Sequence, residues 1–251
     1  MSDLLYSMEA GIARLTLNRP QKRNALSSGL VGELKAALAE SAADASVKVV
    51  LLTGAGKDFC SGADLSGLQK AFDAGVLENM ADASAMADLF LAMRRHPRPV
   101  VAAVRGRALA GGCGLATAAD VILASETAQF GYPEVNIGFI PAMVMAILRR
   151  SVSEKRAFDL ITMGETITAQ AALDIGLVTR ILADETFDIE VEAYVNKLAA
   201  KPASAMMLSK RLLYHIDGMG FEAAIQSGVQ MNAIARATSE CREGIERFLK
   251  K

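Results

Sequence analysis

The chain has 251 residues, of which 52% are hydrophobic, and its formal net charge is −1 at pH 7. This length fits one domain with an appendage better than two full domains. The charge balance argues against nucleic-acid binding and against attraction to an anionic membrane, and no uncharged run is long enough to span a bilayer.

The cysteines and the N-terminus point to an ordinary cytoplasmic protein. Cys60, Cys113 and Cys241 are odd in number and lack metal-ligand spacing, and the chain has two histidines to assist them. We therefore predict neither disulfides nor a metal site, and we expect these cysteines to act as small apolar side chains. The first residues lack the basic region and apolar core of a signal peptide, so we expect a cytoplasmic location.

The first half of the chain alternates strands with helices. Residues 11–17 alternate apolar and polar side chains, the period of a half-buried strand, and we expect them to belong to a hairpin. Ser27 or Ser28 is the predicted N-cap of a helix with apolar residues at helical spacing. Residues 47–53 and 100–104 are nearly continuous apolar strands, typical of a sheet covered on both faces.

The second half begins with similar elements and ends in helices. Residues 66–95 have a helical composition, and we interpret them as the movable wall of a pocket. The pattern further predicts strands over 119–124 and 177–182 and helices over 143–149, 154–163, 203–214, 221–237 and 241–251. We therefore divide the chain into an α/β core, residues 1–198, and a helical oligomerisation region, residues 199–251.

Three turns carry the candidate chemistry. Residues 106–114 are rich in glycine but lack the lysine and Ser/Thr of a phosphate loop, so they favour a site built from backbone N–H groups. Residues 59–65 form a second turn of small residues after a strand. Glu134 follows a third strand. Two amide donors and one carboxylate are the components of a site that stabilises an enolate.

With these segments the chain resembles the crotonase superfamily, also called the enoyl-CoA hydratase/isomerase family. The matching segments keep the family's order and spacing over nearly the whole chain: 17–20 with 24–26, 59–65, 104–116, 128–141 and 168–178. The resemblance implies a spiral of repeated ββα units, followed by helices that pack homotrimers, often paired into hexamers. It also implies an acyl-CoA substrate, in which coenzyme A is part of the substrate and no separate cofactor is needed.

The resemblance assigns roles to individual residues. The backbone amides of Ala63 and Gly111 would stabilise negative charge on the thioester oxygen, and Glu134 would move protons. A carboxyl group beside an acyl pocket is expected to have a raised pKa. The residues that match the coenzyme A-binding segments are Lys22, Ala25, Leu26, Ser61, Ala63, Asp64, Leu65, Phe248 and Lys251.

One departure from the family pattern bears on the reaction. Family hydratases usually carry a second glutamate where this chain has Gly114. A single glutamate favours the shift of a double bond from the 3- to the 2-position. Hydration stays open if Asp64, Glu126 or a residue of 66–95 orients the water. Two further alternatives are another reaction of the fold, such as hydrolysis or decarboxylation, and a non-catalytic scaffold.

Overall fold

The computed structural model describes residues 2–64 and 74–250. In chain order its strands are β1 (Leu4–Glu9), β2 (Ile12–Leu17), β3 (Val49–Gly54), β4 (Val100–Val104), β5 (Arg107–Leu109), β6 (Val121–Ser125), β7 (Gln129–Gly131), β8 (Thr166–Thr168) and β9 (Arg180–Leu182). Its α-helices are α1 (Ser28–Ala43), α2 (Val76–Arg95), α3 (Gly111–Thr117), α4 (Ala142–Ser151), α5 (Glu154–Met163), α6 (Ala169–Asp174), α7 (Phe187–Ala199), α8 (Ala203–His215), α9 (Phe221–Ala237) and α10 (Ser239–Leu249). Short 3-10 helices lie at Pro20–Lys22, Pro133–Ile137 and Ile216–Gly218.

A six-stranded sheet with the order β1-β2-β3-β4-β6-β9 forms the centre. The predicted hairpin is its first pair: β1 runs antiparallel to β2, and the connecting Ala10 and Gly11 both have positive φ, as a two-residue hairpin turn requires. Every other neighbouring pair in this sheet is parallel.

Both faces of the sheet are covered, as the apolar strands predicted. Along β3, Val50 and Leu52 pack into the larger core with α1, whereas Val49 and Leu51 face the opposite side. There they meet apolar residues of α7 such as Val191. The α1 helix begins as predicted, because the Ser27 hydroxyl accepts a hydrogen bond from the Leu30 N–H.

A second sheet of three short strands, β5-β7-β8, positions the candidate site. The strands β5 and β7 run parallel, and β8 is antiparallel to β7. Cys60 adds an isolated parallel bridge to Ala108 on the edge of this sheet. Because the carboxyl ends of parallel strands meet at one edge, the segments that follow Cys60, β5 and β7 lie together.

The predicted strand over 177–182 is wrong at its start, since β9 begins at Arg180. The N–H groups of Leu177 and Val178 both bond to the carbonyl of Ala172, which closes the end of α6 instead of joining the sheet. The first part of the predicted wall over 66–95 lies outside the described residues, and its last part is α2.

The last three helices form a tail that contacts the core through α8. The Lys210 ammonium donates to the Asp120 carboxylate over 2.7 Å, and the Tyr214 hydroxyl donates to the same group over 2.5 Å. Neither α9 nor α10 has a buried residue. No helix within 2–64 or 74–250 is long and apolar enough to cross a membrane.

Candidate active site

The glycine-rich turn between β5 and α3 is held in an unusual backbone conformation. Ala110 has φ +49° and ψ −129°, a region that residues with a Cβ rarely adopt, at a typical cost of about 1–3 kcal/mol. Two backbone hydrogen bonds hold it: Ala110 N–H donates to the Gly131 carbonyl over 2.8 Å, and Leu109 N–H donates to the Cys60 carbonyl over 3.0 Å. The chain then enters α3 with Gly111, whose N–H has no acceptor within the helix.

The second turn approaches the first closely. A Cβ placed on Gly111 would lie 3.9 Å from the Ala63 nitrogen, and one placed on Gly62 would lie 3.5 Å from the Gly111 nitrogen. Within the described ranges, neither the Ala63 N–H nor the Gly111 N–H donates a hydrogen bond. Two neighbouring amide donors are therefore free to bind an oxygen atom from outside the chain.

The predicted coenzyme A segment lies against this second turn. Ser61 N–H donates to the Arg23 carbonyl, Leu26 N–H donates to the Gly62 carbonyl, and Asp64 N–H donates to the Leu26 carbonyl, over 2.8–3.0 Å. Lys22, Ala25 and Leu26 are thereby brought beside Ser61, Ala63 and Asp64, with Lys22 exposed and Ala25 and Leu26 buried.

The Arg19 side chain fastens these two segments to each other. Its guanidinium pairs with Asp64 over 2.9 Å and with Asp3 over 3.2 Å, and it donates to the Ala25 carbonyl over 2.5 Å. The fully buried Asn24 accepts from the Arg19 N–H and donates to the Ala55 and Asp58 carbonyls. Sequence reasoning noted Arg19 and Asn24 as part of the family pattern but did not assign them this bracing role.

Glu134 lies in the short 3-10 helix that follows β7. The residue is only 9% exposed, and its Oε2 atom is buried without a hydrogen-bond partner in the described part of the chain. Burial raises the pKa of this carboxyl, as the sequence predicted, while a bond to its own backbone opposes the shift. The negative charge of Glu134 also acts on Cys113 of α3 and on Tyr132, which places all three groups near one another.

The position of the missing second glutamate is filled by apolar side chains. A Cβ on Gly114 would come closer than 3.0 Å to Val144 Cγ2 and would lie 3.3 Å from the ring tip of Phe90. Both side chains are at least 95% buried. A glutamate does not fit at residue 114 while Val144 and Phe90 keep these positions.

The other polar groups near the turns are already engaged. Asp64 is ion-paired with Arg19, and Glu126 is exposed beyond the end of β6. Burial raises the pKa of the Cys60 thiol to about 12 and that of the Cys113 thiol to about 11, so both stay protonated near neutral pH. Among the described residues, no cluster of three or more His, Cys, Asp or Glu side chains is arranged to hold a metal ion.

Three of the predicted coenzyme A residues are not tested by this arrangement. Leu65 and Lys251 lie outside the described residues. Phe248 lies on α10, which packs on α8 and α9, and its side chain is 79% exposed. The resemblance placed such tail residues at the site of a neighbouring subunit, and that remains a prediction.

Comparisons with known proteins all indicate the same family. The family model described as enoyl-CoA hydratase/isomerase matches residues 7–251. A protein of Thermus thermophilus, provisionally named an enoyl-CoA hydratase, is 40% identical over 98% of both chains. The 2,3-dehydroadipyl-CoA hydratase of Escherichia coli is 34% identical over 100% of this chain and 97% of its own. The crystal structure of a Mycobacterium smegmatis enoyl-CoA hydratase superposes with a TM-score of 0.96 at 34% identity, covering 100% of this chain and 97% of that one.

Proposed function

Since the chain belongs to the enoyl-CoA hydratase/isomerase family, with the crotonase fold, we propose that it moves the double bond of a 3-enoyl-CoA thioester to the 2-position. The observation that carries this proposal is the packing around Gly114, where Val144 and Phe90 fill the space that a second glutamate would need. One carboxyl group is then left to act, and isomerisation needs one.

In the proposed reaction Glu134 first acts as a base. Its carboxylate removes a proton from C2 of the 3-enoyl thioester, and the electrons of the C–H bond move into a dienolate with negative charge on the thioester oxygen. The same carboxyl, now protonated, returns the proton to C4, and the double bond is left between C2 and C3. A raised pKa suits this role, because the group must both accept and release a proton near neutral pH.

The free amides of Ala63 and Gly111 are the proposed partners of the thioester oxygen. Charge develops on that oxygen only as the dienolate forms, so two fixed donors there stabilise the transition state more than the substrate. Removal of one such donor in other enzymes costs about 3–4 kcal/mol. The strained Ala110 and the hydrogen bonds around it supply the rigidity that this effect requires.

Hydration of a 2-enoyl-CoA is the second candidate, and the names of the relatives favour it. Water would then need a polar group besides Glu134. Asp64 is paired with Arg19 and Glu126 is exposed, so neither is well suited to hold it. This candidate therefore depends on a group that the described part of the site does not identify.

Two substrates distinguish these candidates. Conversion of a 3-enoyl-CoA creates a conjugated thioester and raises its absorbance, whereas hydration of a 2-enoyl-CoA removes the conjugation and lowers it. We expect the absorbance to rise with the first substrate and to stay constant with the second, and we expect Glu134→Gln to abolish the rise.

A fall with the 2-enoyl substrate would overturn the isomerase proposal in favour of hydration. An unchanged absorbance with both substrates would favour another reaction of the fold or the scaffold alternative. Release of free coenzyme A, followed by mass spectrometry, would identify a hydrolase.

A further inference from the structure

A polar cavity of about 300 Å³ lies behind the candidate site. Its walls come from α2, the C-terminal end of α3 and the segment that leads into β6, α4, the loop before β9, the end of α8 and the 3-10 helix that follows it. The cavity does not include Glu134 or the amides of Ala63 and Gly111. The titratable side chains on its walls are Arg94, Asp120, Arg150, Tyr214 and Asp217.

The cavity lies about one helical turn beyond the packing contact at Gly114. Three helices meet at that contact through Gly114 itself, Phe90 and Val144. Three or four residues further along the same helices, Thr117, Arg94 and Ile147 line the cavity. One turn of an α-helix advances about 5.4 Å, so an acyl chain that passes the Gly114 contact would reach the cavity within a few carbon atoms.

Phe90 separates the two spaces. Its ring tip contacts the Gly114 position, and the same residue lines the cavity. The direct route from Gly114 to the cavity therefore runs beside the Phe90 ring.

The charges of the cavity favour an anion. Asp217 accepts from Arg94 over 2.7 Å and is also paired with Arg150. On the inner wall, Asp120 is neutralised by Lys210. Two guanidinium groups thus share one carboxylate, and the cavity holds one positive charge in excess.

The two arginines also have spare hydrogen-bond donors. A guanidinium has five N–H groups. Within the described structure, Arg94 uses one of its nitrogens, for Asp217, and its guanidinium lies 4.0 Å from the centre of the Tyr214 ring. Arg150 uses two of its nitrogens, for Asp217 and the Ala146 carbonyl. The remaining donors match a planar carboxylate.

We propose that this cavity binds a carboxylate at the far end of the acyl chain, so that the substrate class is an unsaturated dicarboxylic acid monothioester of coenzyme A. The proposal rests on the proposed function, because it assumes an acyl chain held at Glu134. An acyl chain with a terminal methyl group would form no hydrogen bond with the spare donors of Arg94 and Arg150.

Binding of two unreactive thioesters tests the proposal without any turnover. Adipoyl-CoA and hexanoyl-CoA have the same chain length, and only the former ends in a carboxylate. By isothermal titration calorimetry we expect adipoyl-CoA to bind the wild-type protein at least tenfold more tightly. Arg150→Met should remove this preference while leaving the affinity for hexanoyl-CoA unchanged.

Arg149→Met is the matched control. Arg149 neighbours Arg150 on α4 but is paired with the exposed Glu154 and does not line the cavity. This variant should keep the full preference for adipoyl-CoA. Equal affinities in the wild type, or a preference that survives Arg150→Met, would overturn the proposal.

Two further results distinguish a free carboxylate from one on the acyl chain, and failure of the cavity assignment from failure of the proposed function. Free adipate should not bind at millimolar concentration, and its binding together with equal thioester affinities would assign the cavity to a free anion instead. If the preference holds but no 3-enoyl-CoA is isomerised, the proposed function fails and the cavity assignment stands. If isomerisation occurs without the preference, the cavity assignment alone fails.

Discussion

The packing between Gly114 and Val144 supports the proposal of a single acting carboxyl, and a double-mutant cycle tests it directly. The three variants are Gly114→Ala, Val144→Ala and the combination of both. Gly114→Ala adds only a methyl group, at the place where a glutamate side chain would have to begin. Its Cβ would come closer than 3.0 Å to Val144 Cγ2, so one of the two groups must move.

The magnitudes follow from that geometry. Overpacking costs about 1–3 kcal/mol. Replacing a helical glycine by alanine returns about 0.5–1 kcal/mol, so we expect Gly114→Ala to destabilise by about 1 kcal/mol. Val144→Ala removes two buried carbon atoms at about 0.8 kcal/mol each and leaves a cavity, for a loss of about 2 kcal/mol. In the double variant the methyl group added at residue 114 occupies the space that Val144 vacates, and the loss should be about 1 kcal/mol rather than about 3 kcal/mol.

Urea unfolding at one fixed protein concentration measures this coupling. We expect the double variant to be about 2 kcal/mol more stable than the sum of the single variants predicts. Residues in contact commonly show coupling of about 0.5–3 kcal/mol, whereas independent sites add within about 0.5 kcal/mol. Additivity within that range would show that Val144 does not occupy the Gly114 position, and the argument against a second glutamate would fail.

Three further predictions concern the reaction and the fold. Glu134→Gln should lower kcat/KM by about 10²–10⁴-fold. In the wild type, kcat/KM should rise with pH through the raised pKa of Glu134, because a base must be ionised, and the same pH profile in the variant would exclude this role. Arg19→Met should raise the KM for the thioester about tenfold, because it releases Asp64. Arg14→Met breaks an ion pair with α7 and should leave KM unchanged, and equal effects of the two variants would indicate general destabilisation. Burial lowers the pKa of His96 from 6.5 to about 4, so the folded state binds this proton less readily than the unfolded state. The free energy of unfolding should therefore fall by about 3 kcal/mol as pH drops from 6.5 to 4, at about 1.4 kcal/mol per pKa unit. The loss should be absent from His96→Gln in urea unfolding at each pH, and an equal loss in that variant would assign it to other groups.

The long periodic elements were predictable because each carries its own pattern. The strand over 100–104 and the helix over 154–163 match the observed bounds. The three-residue strands β5, β7 and β8 were not predicted, since three residues show no periodicity and their pairing depends on distant segments. Helix α7, which covers the second face of the sheet, was missed as well.

In the candidate site, too, local features were predictable and contacts between distant segments were not. The turns around Ala63 and Gly111 and the position of Glu134 followed from local composition and from the resemblance, and the structure brings these segments together. The absence of a glutamate at Gly114 was visible in the sequence. The occupation of its space by Val144 was not, because that contact joins residues 30 positions apart and depends on how α4 packs on α3.

The choice of reaction and substrate depends on the residues that surround the proposed reacting groups. Two of the three groups are backbone amides, whose N–H donors only a substitution to proline would remove, and their positions depend on Ala110 and on the bonds of Arg19 and Asn24. In the third, Glu134, the buried Oε2 atom has no hydrogen-bond partner in the described part of the chain, which costs stability but keeps a proton transferable. A change of reaction or substrate on this scaffold therefore has to act through the walls, and the positions available for it are those where α2, α3 and α4 meet. There, Phe90 and Val144 would limit the chemistry to one carboxyl, and one turn further on Arg94 and Arg150 would select the far end of the acyl chain.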